Sequence, residues 1–161
     1  MKTLTALAAN VLFGFTIVAG TLSTSALADE YTAGNITIDH PWSRPTPPGV
    51  PMGVGYMAIT NHGDSDITLT SATTPRAQNV SLHESTMKDG TMSMRPLKEG
   101  LTIPAGETME LRPHGYHLML EKLQSPLKEG ESIPLRLTFE GAADMNVELN
   151  VEPLDGNLQN Q

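Results

Sequence analysis

Short runs of alternating apolar and polar residues follow one another along the chain from Gly34 onward, with turn-forming residues between them. Alternation of this kind places one face of a β-strand against a core and the other in solvent. No long helical period interrupts it. The pattern therefore predicts an all-β fold, an antiparallel sandwich or barrel of eight or nine strands. The first begins at Ile36 and Ile38, and the others cover residues 56–60, 67–71, 80–87, 92–95, 108–111, 116–121, 135–139 and 145–151.

Two segments depart from the alternation. Residues 41–51 contain five prolines, and proline cannot donate a hydrogen bond to a neighbouring strand. We expect this segment to run extended over the surface and to form no central strand. Residues 154–161 lack alternating apolar positions and are expected to be a flexible tail.

The similar stretches 96–104 and 126–134 predict two similar loops that lead into strands.

The N-terminus has the pattern of an export signal. Lys2 precedes an apolar run over residues 4–18, and small residues lead to Ala26-Leu27-Ala28. This pattern predicts a Sec-type signal peptide over residues 1–28, cleaved after Ala28. A membrane anchor is the alternative, but small and hydroxylated residues dilute the run and no basic flank follows it. We expect a periplasmic protein without stable membrane insertion, with one domain over residues 29–153.

Composition narrows the classes of function. The 161 residues include no cysteine, nine methionines and five histidines, and the formal net charge is −8. The acidic balance argues against nucleic acid as a partner, because phosphates need a basic face. Without cysteine there is no disulfide, no thiolate zinc site and no blue-copper centre. A soft metal in this chain has to be bound without thiolate.

Histidine and methionine recur at alternating positions of two predicted strands. Asp89-Gly90 predicts a two-residue hairpin that pairs residue 87 with 92 and residue 85 with 94, so that His83 and Met94 share one face. In the later strand, Leu118 and its alternate neighbours are apolar and predict the core face. His117 and Met119 therefore project together from the opposite face.

Imidazole and thioether donors without carboxylate form a soft, neutral set. Such a set suits Cu(I) and fits Mg, Ca or Mn poorly. Packing is the alternative, because methionine commonly fills cores and an isolated histidine on a strand is usually a surface or hydrogen-bonded residue. His114 is a candidate extra ligand, and Met87, Met92 and Met109 are candidate lesser partners or an exposed methionine patch. His40 and His62 lie in turn or proline-rich contexts, and we expect structural roles for both.

An exported enzyme and an interaction module are the alternatives to a metal carrier. An exported hydrolase would need a nucleophile elbow, and none surrounds the serines. A copper monooxygenase with an N-terminal histidine brace would need histidine where the predicted mature chain begins with Asp29. We therefore expect no enzyme. An exported β-sandwich interaction module without a metal stays open, and it predicts scattered histidine and methionine side chains.

The residues resemble the periplasmic copper chaperone family PCu(A)C. Its signature is His, ten residues, Met, twenty-one residues, His, one residue, Met. Here ten residues separate His83 from Met94, 22 separate Met94 from His117, and Met119 closes the motif. The extra residue has to fall in a loop. The resemblance extends over about residues 36–153 and includes WSRPTPPG (42–49), GYM (55–57), TNHGD (60–64), LHE (82–84), GYHLML (115–120) and PLKEG (126–130).

The resemblance implies a cupredoxin-like β-sandwich of Greek-key type that holds one Cu(I) through His83, Met94, His117 and Met119. It also implies delivery of copper to a respiratory oxidase, at the dinuclear copper centre of cytochrome c oxidase subunit II, or to another copper chaperone. Copper storage or resistance without a role in oxidase assembly is the alternative within the same chemistry. The tail has no His or Met, so a second, tail-borne copper site is not expected.

Overall fold

The computed structural model describes residues 29–154, and eleven strands make up its regular secondary structure. The signal peptide predicted for residues 1–28 and all but the first residue of the predicted tail lie outside the described residues. Between residues 29 and 154, no helix is long and apolar enough to cross a membrane. The strands are β1 (Glu30–Ala33), β2 (Ile36–Ser43), β3 (Met52–Asn61), β4 (Ile67–Thr73), β5 (Ala77–Lys88), β6 (Thr91–Pro96), β7 (Leu101–Ile103), β8 (Thr108–Leu111), β9 (Tyr116–Leu123), β10 (Ser132–Glu140) and β11 (Met145–Val151).

The strands form one continuous mixed sheet in the order β6-β5-β9-β8-β3-β2-β11-β10-β4-β7, with β1 paired to β2 and β9 also paired to β3. In the described part of the chain, two pairings are parallel, β2 with β11 and β8 with β9, and the others are antiparallel. Contacts of β4 with β5 and of β3 with β7 bring distant parts of the sheet together. The sheet therefore wraps around a shared core, and the all-β prediction is confirmed.

The core is built from the alternate positions that the sequence pattern marks as apolar. Fully buried leucine and isoleucine side chains come from both halves of the sheet: Ile38, Ile59, Leu69, Ile103, Leu118, Leu120, Ile133, Leu135, Leu137 and Leu149. Since each leucine or isoleucine contributes about 1.5–3 kcal/mol when fully buried, this set dominates the stability of the fold. It also fixes which face of each strand points outward.

The predicted number of strands is too small, because β1 and β7 are absent from the sequence-based set. The three residues of β7 pair with β4, and β1 pairs with β2 alone. The three residues of β7 show too few alternations to be recognised by their period, and β1 lies before Gly34, where the predicted pattern begins. The pattern also underestimates several strand lengths, and β3 in particular begins at Met52.

The proline-rich segment also needs a correction. The prolines predict no central strand in residues 41–51, but β2 continues through Pro41 to Ser43 in the interior of the sheet. The pairing of β2 with β3 shifts register between Asp39 and Trp42, and such a bulge tolerates a missing N–H donor. The tilted ring of Tyr56 packs on Trp42 at a centroid distance of 4.6 Å. Residues 44–51 form no strand, as expected, but a turn closed by the Val50 N–H and the Pro47 carbonyl interrupts the predicted extended course.

The two similar loops are confirmed. Each ends on a glycine in the left-handed region, Gly100 at φ +85° and Gly130 at φ +82°. The first loop leads into β7 and the second into β10. The hydrogen-bonded turns differ by one position, since Gly100 N–H donates to Leu97 O in the first loop and Glu131 N–H donates to Lys128 O in the second.

Candidate metal centre

The four predicted ligands lie on one face of three neighbouring strands, with β5 in the middle. On one side, His83 lies directly opposite His117 of β9, and Met119 lies opposite Ser81. On the other side, Met94 of β6 lies opposite Ser85. Neither pairing contains a register shift, and directly opposite residues in an antiparallel pair share a face. Met94 and Met119 therefore both lie diagonal to His83, on opposite sides of it.

The two imidazoles form the inner part of this cluster. Their rings are stacked with centroids 5.8 Å apart and planes 18° from parallel. His117 is buried, with 6% of its surface exposed, whereas Met94 is 49% exposed. His83 and Met119 are intermediate. Accessibility thus rises from a buried imidazole to a thioether open to solvent.

A backbone hydrogen bond orients His117. Its Nδ1 lies 3.1 Å from the carbonyl oxygen of Gly115, and a carbonyl can only accept, so Nδ1 carries the hydrogen. The Nε2 lone pair is then available to a metal ion. Metal-binding histidines ordinarily use their second nitrogen in this way, and the contact fixes both tautomer and ring orientation.

A chain of side-chain hydrogen bonds orients His83. The Ser81 hydroxyl donates to Glu121 Oε1 over 3.3 Å, and the Asn79 amide donates to the other carboxylate oxygen. A hydroxyl has one hydrogen, so Ser81 Oγ is left to accept from His83 Nδ1 over 3.4 Å. His83 therefore also keeps Nε2 free for a metal ion.

Ser81 and Glu121 are not among the site residues predicted from the sequence. Both occupy the outward face by simple alternation, two positions from His83 and Met119 respectively. Their proximity to each other depends on the pairing of Asn79 with Glu121 across β5 and β9. No local signal in the chain predicts that pairing.

The β5–β6 hairpin holds Met94 in register by local chemistry. Asp89 and Gly90 form the two-residue loop with φ of +51° and +76°, as a type I′ turn requires. On the opposite face from Met94, Arg95 Nε donates to Glu84 Oε2 over 2.7 Å. An exposed pair of this kind is worth up to about 1 kcal/mol, which is enough to favour one register over its neighbours. The hairpin and its register are as predicted.

The strand pairings that join the cluster include none of the remaining histidines. His114 is exposed, with a left-handed φ of +64° in the loop before β9. His62 Nε2 is hydrogen-bonded to Thr37 Oγ1 at 3.0 Å. His40 contacts Glu152 and stacks near Trp42. Among residues 29–154, no three His, Asp or Glu side chains are grouped so that they could hold a metal ion.

Of the methionines outside the cluster, Met57 and Met145 are buried in the core, and four others lie at or near the surface. Met109 of β8 is partly buried and packs against the core. Met87 and Met92 are directly opposite each other near the tip of the β5–β6 hairpin and are largely exposed. Met52 at the start of β3 is also exposed but pairs with Glu121 rather than with another methionine.

Comparison with known proteins agrees with this architecture. Residues 36–151 match the family described as "Putative lipoprotein LpqE-like". A protein from Leifsonia xyli subsp. xyli, "Putative lipoprotein Lxx21020", is 31% identical over 152 residues, which are 94% of this chain and 90% of that protein.

Two solved structures have the same fold. The copper-bound PCuAC domain from PmoF2 superposes with a TM-score of 0.66 at 23% identity, over 78% of this chain and 98% of that one. The solution structure of CuI-DR1885 from Deinococcus radiodurans gives a TM-score of 0.54 at 34% identity, over 70% of this chain and 74% of that one. The fold is a cupredoxin-like β-sandwich. The chain belongs to the LpqE-like family, which is of the PCuAC type.

Proposed function

We propose that this chain is an exported copper chaperone that holds one Cu(I) ion through His83, Met94, His117 and Met119. The observation that carries the proposal is the unbroken register of β6, β5 and β9, which places these four side chains on one face. Two imidazoles and two thioethers are neutral, soft donors, and such a set favours Cu(I) over hard cations. The hydrogen bonds at both Nδ1 atoms favour binding through Nε2.

The comparisons support a copper-carrying role. One similar structure is described as a copper-bound PCuAC domain, and another, at 34% identity, as containing Cu(I). Export is supported by the lipoprotein names of the family and of the Leifsonia relative. The 161 residues contain no cysteine that could carry a lipid anchor. We therefore propose a periplasmic protein that is released by cleavage after Ala28. N-terminal sequencing of the exported protein should then begin at Asp29.

The chemistry of the cluster suits a carrier better than an enzyme. A carrier has to bind the ion firmly and still release it to a partner. The buried His117 favours firm binding, and the half-exposed Met94 favours release. A donor atom of a partner can replace the exposed thioether first. The recipient we propose is the dinuclear copper centre of cytochrome c oxidase subunit II, or another copper chaperone.

An anaerobic Cu(I) titration tests the site. We expect one tight equivalent for the wild type and its loss in the double variant His83→Ala, His117→Ala. The matched control is the double variant His62→Gln, His114→Asn, which also removes two histidines; asparagine tolerates the left-handed φ of residue 114. If the wild type binds no tight equivalent, the chain is a β-sandwich interaction module without a metal.

A transfer experiment tests delivery. The Cu(I)-loaded chain is mixed with the copper-free soluble domain of an oxidase subunit II, and the two are separated for copper analysis. We expect copper to move to the oxidase domain. One tight equivalent that stays on the chain would contradict delivery and would favour storage or resistance.

A further inference from the structure

The β5–β6 hairpin carries two thioethers beyond the proposed four-ligand cluster. Met87 and Met92 face each other across the strands, and Met94 lies two residues further along the same face. All three are exposed, by 63%, 47% and 49% respectively. Directly opposite residues have Cβ atoms about 4.5–5.5 Å apart, so flexible methionine side chains can bring their sulfur atoms to a common point.

Packing does not account for this row of methionines. Every residue of β6 is exposed, so neither face of the hairpin tip lies against a core. The opposite face of the tip carries polar side chains such as Thr86 and Ser93, which are the residues expected at solvent-exposed positions of a strand. Methionine is confined to the face that leads to His83. Single exposed apolar residues are ordinary, but three adjacent ones on one face are typical of a surface that binds something.

Thioether sulfur offers such a use. It is a soft, neutral donor that selects Cu(I) among the biological cations. We propose that Met87 and Met92 form an auxiliary site for a soft monovalent cation, which shares Met94 with the proposed four-ligand centre. An ion moves between the two sites when one thioether replaces another, and its charge does not change. This inference deepens the proposed function and rests on it for the destination of the ion.

The auxiliary site is weaker than the main centre. It contains no imidazole, and its donors lie on an exposed edge hairpin without the hydrogen bonds that orient His83 and His117. We expect a dissociation constant at least about tenfold higher than that of the main centre. Such a site collects or releases the ion and does not retain it.

The test is a titration with Ag(I), a redox-inert monovalent probe, followed by NMR of methionine methyl groups. In the wild type we expect Met94 and Met119 to shift during the first equivalent, and Met87 and Met92 to shift beyond it. Counted as equivalents of bound Ag(I), the double variant Met87→Leu, Met92→Leu should lose only the second equivalent. Leucine replaces methionine with little change in volume, and the positions are exposed, so the fold should be retained. Met109→Leu is the matched control and should keep both phases.

The possible failures are distinguishable. If Met87 and Met92 do not shift at several equivalents while the first phase is normal, the auxiliary site is wrong and the proposed function stands. If they shift with Ag(I) but the first phase is absent, the proposed function fails and the auxiliary site stands. Met52 is an internal control, because it is equally exposed but has no methionine opposite it. A shift of Met52 beyond the first equivalent that equals the shift of Met87 would mean nonspecific thioether binding and would overturn the proposal.

Discussion

His83 and His117 lie directly opposite each other on β5 and β9, and their rings stack 5.8 Å apart. On the other face of the same strands, Leu82 pairs with Leu118 inside the core. A slip of one residue would send the leucines into solvent and the histidines into the core. The hydrophobic effect therefore enforces the register that brings the imidazoles together, and the candidate centre depends on the core beneath it.

The first prediction concerns the hydrogen bond between Ser81 and His83. Replacing Ser81 by alanine removes the acceptor at Nδ1 and should weaken Cu(I) binding about tenfold, as loss of an outer-layer partner of a metal-binding histidine typically does. Ser81→Thr keeps a hydroxyl and should retain most of the affinity. The measurement is competition with a Cu(I) chelator, together with NMR of the His83 ring nitrogens to determine the tautomer.

Ser85→Ala is the matched control for this prediction. Ser85 has the same residue type on the same face of β5, on the other side of His83, and its side chain makes no hydrogen bond to that ring. Equal losses of affinity in Ser81→Ala and Ser85→Ala, with an unchanged His83 tautomer, would contradict a positioning role for Ser81.

The second prediction separates ligand methionines from packing methionines. Met119 and Met109 are both partly buried strand residues, but only Met119 lies beside the histidine pair. Met119→Leu should lower Cu(I) affinity at least about tenfold, because leucine has no donor atom. Met109→Leu should leave it unchanged. Similar losses at the two positions would indicate a diffuse methionine surface rather than a defined centre.

The parts of the site that sequence predicts well are those that depend on local chemistry. The Asp89-Gly90 turn and the Glu84–Arg95 pair set the hairpin register, and both are visible as short-range patterns. Alternation around Leu118 likewise predicts which side chains of β9 face outward. The structure brings these two predicted elements onto one face.

The sequence pattern does not predict which strands are neighbours in the sheet. The pairing of β5 with β9 joins residues far apart in the chain, and it is determined by packing of the whole core rather than by any local signal. The Ser81–Glu121 contact follows from that pairing. The incorrect prediction for Pro41 has the same cause, because the bulge that accommodates this proline exists only where β2 pairs with β3.

The third prediction uses the two similar loops as a natural control pair. Gly100 and Gly130 end the same local sequence with nearly the same φ. A Cβ on Gly130 meets nothing within 4 Å, whereas one on Gly100 would collide with the backbone oxygen of Leu69 and lie 2.9 Å from Thr68 Cγ2. Gly130→Ala should cost about 1–2 kcal/mol for the left-handed conformation alone. Gly100→Ala should cost about 3 kcal/mol or more, since the clash adds to that strain.

Urea denaturation of the two glycine variants measures the difference directly. Because the loops share their sequence, effects on the unfolded chain should nearly cancel in the comparison. Equal free energies of unfolding for the two variants would show that the approach of Gly100 to Leu69 does not constrain the fold.

The fourth prediction concerns the pH dependence of stability near Glu131. The backbone N–H of Lys128 donates to its carboxylate over 3.2 Å, and Arg76 pairs with the same oxygen. These contacts lower the pKa of Glu131 below its ordinary value of 4.5, with the Lys128 hydrogen bond as the largest cause. The folded state thus favours the ionised form. Its contribution to stability is present above pH 4.5 and is lost as the pH falls through the lowered pKa.

Glu131→Gln should therefore lower the unfolding temperature at pH 7, and the difference from the wild type should shrink as the pH falls below 4.5. Glu129→Gln is the control, because Glu129 is exposed on the same loop and should show little difference at either pH. Thermal unfolding followed by circular dichroism across this range provides the measurement. A deficit for Glu131→Gln that persists undiminished well below pH 4.5 would mean that packing or geometry, rather than the ionised carboxylate, accounts for the loss.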